Sequence, residues 1–275
     1  MNGIAMPLRI TTNVPALTAQ RNLARIQTGV GRSLERLSSG YRINRAADDA
    51  AGLAISEKLR ANVGALQRAG SNAADALAYL QVVDSTLATG SDLLLRMVEL
   101  ASESATGTVN TEERGFLNTE FCSLRDGIDR LKDTRYNDTR LIAGGQFGVR
   151  VQVGIDDQPQ STVSLTVTMA GVDLDAAALD TPTHARDSLA LLTHTLDLFA
   201  GWRAEIGAFQ NRLESIQSGI ANHVENLTAA ESRIRDMDVA SETAALAKSK
   251  ILVQAGVSVL AQANASPSLA LQLLS

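Results

Sequence analysis

Residues 59–101 read LRANVGALQRAGSNAADALAYLQVVDSTLATGSDLLLRMVELA, and the spacing of their apolar positions decides the fold. Positions 59, 63, 66, 70, 73, 77, 80, 84, 87, 91, 94, 98 and 101 advance in alternating steps of four and three. They carry Leu, Val, Leu, Gly, Ala, Leu, Leu, Asp, Leu, Ser, Leu, Val and Ala. Such steps average about 3.5 residues, which keeps an apolar seam on one side of a helix as it winds against a partner. Gly70, Asp84 and Ser91 are the imperfections of this seam. Asp48 and Asp49 stand at its upstream end, where a helix N-terminus favours negative charge. Gly107 closes it.

The rhythm continues on both sides. Prolines occur only at 7, 15, 159, 182 and 267, so residues 16–158 and 183–266 lack the strongest helix breaker. After Asn110-Thr111-Glu112-Glu113, a capped start, Leu117, Phe121, Leu124, Ile128 and Leu131 predict a third helix. The period then changes to two. Phe147, Val149, Val151, Val153 and Ile155 alternate, as do Val163, Leu165, Val167 and Met169, which predicts a small β-hairpin at about 146–170. From about Thr183 to Asp236 the heptad returns through Leu189, Leu192, Leu196, Phe199, Ile206, Leu213, Ile220, Val224, Leu227 and Ile234, with Trp202, Phe209 and Ile216 widening it. A rod seam is therefore expected at Leu59, Val63, Leu66, Leu77, Leu80, Leu87 and Leu94 against Leu213, Ile220 and Leu227.

The two ends of the chain differ from this middle. Leu23, Ile26, Val30, Leu34 and Leu37 share one helical face, opposite Arg21, Arg25, Arg32 and Arg36. Ser38-Ser39-Gly40 ends that helix with a glycine suited to a left-handed cap. A last helix, about 239–263, repeats Leu246, Val253, Val257 and Leu260 among small residues. Pro267 then precedes an apolar tail, Leu269, Leu271, Leu273 and Leu274. Neither arm buries its face alone, and isolated helices of this length are marginal in water. Pairing the arms covers both faces, so both are expected to order only when packed, with many neighbours present. The fold class is all-α: a long antiparallel helical bundle or coiled coil with paired terminal helices and a small β-hairpin.

Composition excludes several functions. Aromatics are 3% of residues, too few for the thick core of an enzyme this size. The net charge of −5 argues against nucleic acid as a partner, although residues 1–45 hold seven arginines and one acid and so carry +6. Cys122 is the only cysteine, so no intrachain disulfide forms. His184, His194 and His223 lack metal-ligand spacing, and the Asp48-Asp49 and Asp156-Asp157 pairs read as solvated surface. No cofactor is expected. No uninterrupted apolar run reaches about 18 residues, so membrane insertion is not expected, and the N-terminus lacks the layout of a cleavable signal peptide. The arginine stripe of the first helix has two readings, attraction to an anionic membrane surface or contact with protein neighbours in an assembly.

Residues 38–55, SSGYRINRAADDAAGLAI, resemble the signature of bacterial flagellins. A second likeness runs from Ile206-Gly207-Ala208-Phe209-Gln210-Asn211-Arg212-Leu213-Glu214 through Ala230-Glu231-Ser232-Arg233-Ile234-Arg235-Asp236 to the stretch Gln254–Asn264. The resemblance covers roughly residues 6–145 and 183–275, with only about 146–182 in place of the family's variable outer region, so the chain looks like a minimal flagellin. Family members usually show Phe-Asn-Gly where Tyr136-Asn137-Asp138 stands, and the usual opening Met-Pro-Leu-Arg-Ile begins here at Met6. The resemblance implies a structural subunit that self-assembles into an extracellular filament. In it, 1–42 and 238–275 would pair as the inner tube and 43–237 would form the rod. It implies export without a cleavable signal, and an export chaperone, a cap and hook-junction proteins as partners. A hook–filament junction protein of the same design is the alternative. The zinc-protease motif that some flagellins insert is absent. The stretch 95–101 resembles the part read by an animal Toll-like receptor, which implies contacts at Arg96, Glu99 and Leu100, with a second patch at Asn211, Arg212 and Glu214.

Overall fold

The structure, a computed structural model, describes residues 12–136, 139–140, 145–156, 158–169 and 172–272. Readings made at Met6, Asn137, Asp138, Asp157, Leu273 and Leu274 lie outside the described residues. Among the described residues there are five α-helices: α1 (Val14–Ser39), α2 (Ala50–Ser104), α3 (Thr111–Lys132), α4 (Pro182–Arg235) and α5 (Val239–Gln272). Two antiparallel hairpins stand between α3 and α4. The first joins β1 (Arg135–Tyr136) to β2 (Thr139–Arg140), the second β3 (Gly145–Gln152) to β4 (Thr162–Met169). The chain divides into two compact units, Met1–Ala61 with Leu227–Ser275, and Asn62–Asn226. The division falls inside α2 and α4, whereas the boundaries expected at 42/43 and 237/238 coincide with breaks between helices.

In the 62–226 unit, α2 buries Leu66, Ala69, Ala73, Ala76, Leu80, Val83, Leu87, Gly90, Leu94, Met97, Ala101 and Ser104. The seam thus keeps positions 66, 73, 80, 87, 94 and 101. Between them it passes through 69, 76, 83, 90 and 97 instead of 70, 77, 84, 91 and 98. Steps of three and four in either order give the same average period, and large partners decide between them. On α4, Leu192, Phe199, Trp202, Ile206, Phe209, Leu213 and Ile220 are buried, and small residues on α2 leave room for them. A Cβ on Gly90 would lie 2.5 Å from Phe199 Cε1, and one on Gly70 would meet Ile220 Cγ2 at 3.6 Å. The Phe199 and Trp202 rings stack at 5.2 Å. Val63 and Leu77 are half-buried beside the seam, as are Leu59 and Leu227 in the other unit. Asp84, displaced from the seam, meets Arg203 of α4 at 2.9 Å. That carboxylate raises the arginine above its ordinary range.

Helix α3 folds back on α2 behind a complete capping box, Asn110 with Glu113. Its Arg114 is buried and donates to the carbonyls of Ser104 (3.0 Å) and Thr106 (2.8 Å) at the end of α2. A cation there satisfies orphan carbonyls and suits the negative end of the helix dipole. The segment entering α4 is stitched in place: Ser104 Oγ donates to Leu179 O, Leu179 N to Asn118 Oδ1, and Ala178 N to Ser188 Oγ. The second hairpin pairs from Gly145↔Met169 to Gln152↔Thr162. Val163, Leu165, Val167 and Met169 face inward between exposed Ser164, Thr166 and Thr168. The predicted period-two alternation is therefore what buries this ladder. Ile155 lies beyond the ladder, 42% exposed.

Candidate assembly surface

Helix α1 begins at Asn13, whose Oδ1 accepts from Ala16 N, and ends at Gly40, whose left-handed φ of 76° few other residues tolerate. It packs antiparallel on α5. Asn13 Nδ2 donates to Ala263 O at 2.8 Å, a Cβ on Gly256 would meet Leu23 Cδ1 at 3.1 Å, and Arg36 lies 3.7 Å from Glu242. The inward positions are 16, 19, 23, 26, 30, 33 and 37 on α1, and 242, 246, 249, 253, 256, 260 and 263 on α5. Leu23, Ile26, Val30 and Leu37 therefore meet Leu246, Val253 and Leu260. Leu34 and Val257 do not join them. Ser33 and Gly256 hold the inner positions beside them, and the two apolar side chains stand outward, 49% and 51% exposed. Small residues win those places because they let the backbones approach, a signal that hydrophobic spacing alone passes over.

Both arms are helices here, and each supplies the other's apolar face. The cover is thin. Ser33 is the only buried residue of α1, and no described side chain of α5 is buried. Val14, Leu17, Ile251, Leu252 and Val259 stay between 43% and 65% exposed. Val239–Ser266 is by length and composition apolar enough to cross a membrane. Isolated glutamines and serines break any uninterrupted apolar run there without making the helix polar. On α1, Arg21, Arg25 and Arg32 are exposed, while Arg36 leaves the stripe for Glu242.

Where the arms turn into the longer helices, the two connections are bonded to each other. Arg42 N donates to Arg235 O (2.7 Å), Met237 N to Gly40 O (3.1 Å), and Tyr41 bridges Asp236. The Arg235 guanidinium lies 4.6 Å from the centre of the Tyr41 ring and donates to Glu57 at 2.8 Å. Ile43 is buried beneath. Asp48 accepts from the N–H groups of Arg45 and Asn44, and these bonds hold its carboxyl below the usual carboxylate range. The stretches 38–49 and 232–238, far apart in sequence, thus form one joint.

Two family models match the chain, the bacterial flagellin N-terminal helical region at residues 10–146 and the C-terminal helical region at 190–274. A flagellin of Halalkalibacterium halodurans is 39% identical over 96% of this chain and 99% of its own length. The chain belongs to the bacterial flagellin family. Flagellins are structural proteins of an extracellular filament, not enzymes, and the main reading prevails over the junction protein. The Treponema phagedenis flagellar filament 33 kDa core protein, 35% identical, aligns over 96% of this flagellin and 99% of its own chain. Both relatives thus align with this chain over nearly their whole length and are of similar size. A putative flagellar hook-associated protein from Vibrio parahaemolyticus shares the helical fold, with a TM-score of 0.60 at 17% identity, over 69% of this flagellin and all of that chain.

The residues carried over as receptor contacts separate. Arg96 is exposed and bonded at 2.9 Å to both Glu99 and Glu120, which raise it above its ordinary range. Leu100 is 1% exposed. It faces the core, where only opening the bundle would free it, so it is withdrawn as a contact. Leu95, 48% exposed, is the outward leucine of that turn. Asn211, Arg212 and Glu214 are exposed on α4. The Gly90–Phe199 and Gly70–Ile220 facings put Arg96 level with about residue 193, so Asn211 lies about 27 Å farther along α4 at 1.5 Å per residue.

Proposed function

We propose that this flagellin polymerises by burying the outer faces of its α1–α5 pair against the same pair in neighbouring copies. The observation that carries the reading is α5 itself: 34 residues, no charge from Ile251 onward, and no described side chain buried within the chain. A helix apolar on all sides belongs in a larger core or a bilayer. Pairing along its length with an arginine-bearing α1 favours the protein core. Aspartate at Ile251 or Val259, 65% and 58% exposed, should abolish sedimentable filaments and leave the melting of the subunit unchanged. Normal filament yield from both variants would refute the proposal.

The exposed pair also supports shielding by an export chaperone before assembly, passage through the flagellar export apparatus, and contact with cap and hook-junction proteins at the filament's ends. For an animal Toll-like receptor, the surface that supports contact is Arg96 with Glu99, and separately Asn211, Arg212 and Glu214. A reporter assay checks this: Arg96→Ala should lower signalling, and an active parent with an undiminished variant would remove Arg96 from the site.

A further inference from the structure

We infer that Asn13 sets the register of the α1–α5 pair by donating to the one interior carbonyl of α5 that the sequence deprives of its helical partner. Helix α5 runs through Pro267 to Gln272. Proline has no N–H, so the carbonyl four residues earlier, Ala263 O, lacks its ordinary helical donor. The Asn13 side chain supplies the missing donor at 2.8 Å, while its Oδ1 caps α1 through Ala16 N at 3.1 Å. One amide satisfies an orphan group on each helix.

The joint between Gly40 and Met237 anchors one end of the pair, but along the arms the seam by itself leaves the register open. Its inward positions repeat every seven residues on both helices, so a slip of one heptad, about 10 Å, preserves the pattern of steps. A single polar contact can specify register in such a pair. After a slip, Asn13 would face a carbonyl already bonded within its helix, and Ala263 O would be unsatisfied. Proline, which elsewhere ends helices, here marks a position along one. The inference concerns pairing within a chain and stands apart from the proposed assembly face.

Cysteine pairs in a Cys122→Ser chain test it. Leu23→Cys with Gly256→Cys reads the native register, and Leu23→Cys with Ser249→Cys reads the slipped one. Asn13→Asp keeps the capping oxygen and removes the donor. It should lower the native-to-slipped ratio about five-fold, the equivalent of one net hydrogen bond. Pro267→Ala restores the helical donor, so it should raise helix content yet loosen register by a similar factor. The two changes combined should do no more than either alone. A parental ratio in Asn13→Asp, additive effects, or a Pro267→Ala chain with unchanged register would overturn the inference. The ratio is read on the full-length chain, soluble and pelleted, so failure to polymerise counts against the assembly proposal alone.

Discussion

Alanine at position 90 sets two energies of opposite sign against each other. In an α-helix interior, glycine is about 1 kcal/mol worse than alanine, so by local preference Gly90→Ala should stabilise α2. Packing opposes it. The added Cβ would stand 2.5 Å from Phe199 Cε1, well inside contact distance. The ring has little room to yield, being 2% exposed and stacked on Trp202 at 5.2 Å. Forcing a methyl into such a site costs about 1–3 kcal/mol, and sometimes more; with so little room for the ring the upper half of that range applies, which leaves a net destabilisation of about 1–2 kcal/mol. Gly201 supplies the control, since it is exposed in α4 and nothing lies within 4 Å of an added Cβ. Gly201→Ala should stabilise by up to about 1 kcal/mol. Guanidinium melts followed by circular dichroism on the full-length chain compare the two. Equal or greater stability in Gly90→Ala, or shifts of the same sign in both, would show that the seam does not press Phe199 onto α2.

Leu94, fully buried, should tolerate no charge: Leu94→Asp is expected to cost more than about 3 kcal/mol, and an unchanged melt would mean the seam lies elsewhere. Arg114→Ala would strip two bonds from the end of α2 and should cost about 2 kcal/mol, with amide exchange quickening first around residues 100–106. The joint should weaken in acid. Asp48 has its folded pKa depressed by the Arg45 and Asn44 N–H groups, so its contribution is present above the unfolded value near about 3.9. It fades as pH falls through the folded value. Parent and Asp48→Asn should therefore differ in stability at pH 6 and converge in strong acid, and a constant gap would contradict the assignment.

Much of this molecule is readable from period alone. Alternate seam positions, both hairpin strands and the pairing of the arms follow from it, because each element buries one regular stripe. Period could not place the intervening seam residues. Leu77 and Val98 are apolar, yet Ala76 and Met97 are the buried ones, because a helix does not announce its partner's bulk, as Phe199 against Gly90 illustrates. The polar or small letters at Gly70, Asp84 and Ser91 were the available hint. Leu34 and Val257 went astray for the same reason. The joint was invisible for a different one: backbone bonds between Arg42 and Arg235 or Gly40 and Met237 depend on topology, which no local pattern carries.

The second hairpin closes before its loop begins. Val153 N and Gly154 N both donate to Ser161 O, at 2.8 and 3.0 Å, and the eight-pair ladder beneath them is complete without residues 155–158. Extra sequence placed between Ile155 and Gln158 would lengthen a loop already sealed at its base. Each doubling of such a loop costs only about 0.6 kcal/mol in closure entropy. In evolutionary terms, that is a place where a lineage can enlarge this protein by whole domains, or an engineer can graft a foreign peptide, without re-registering a single strand.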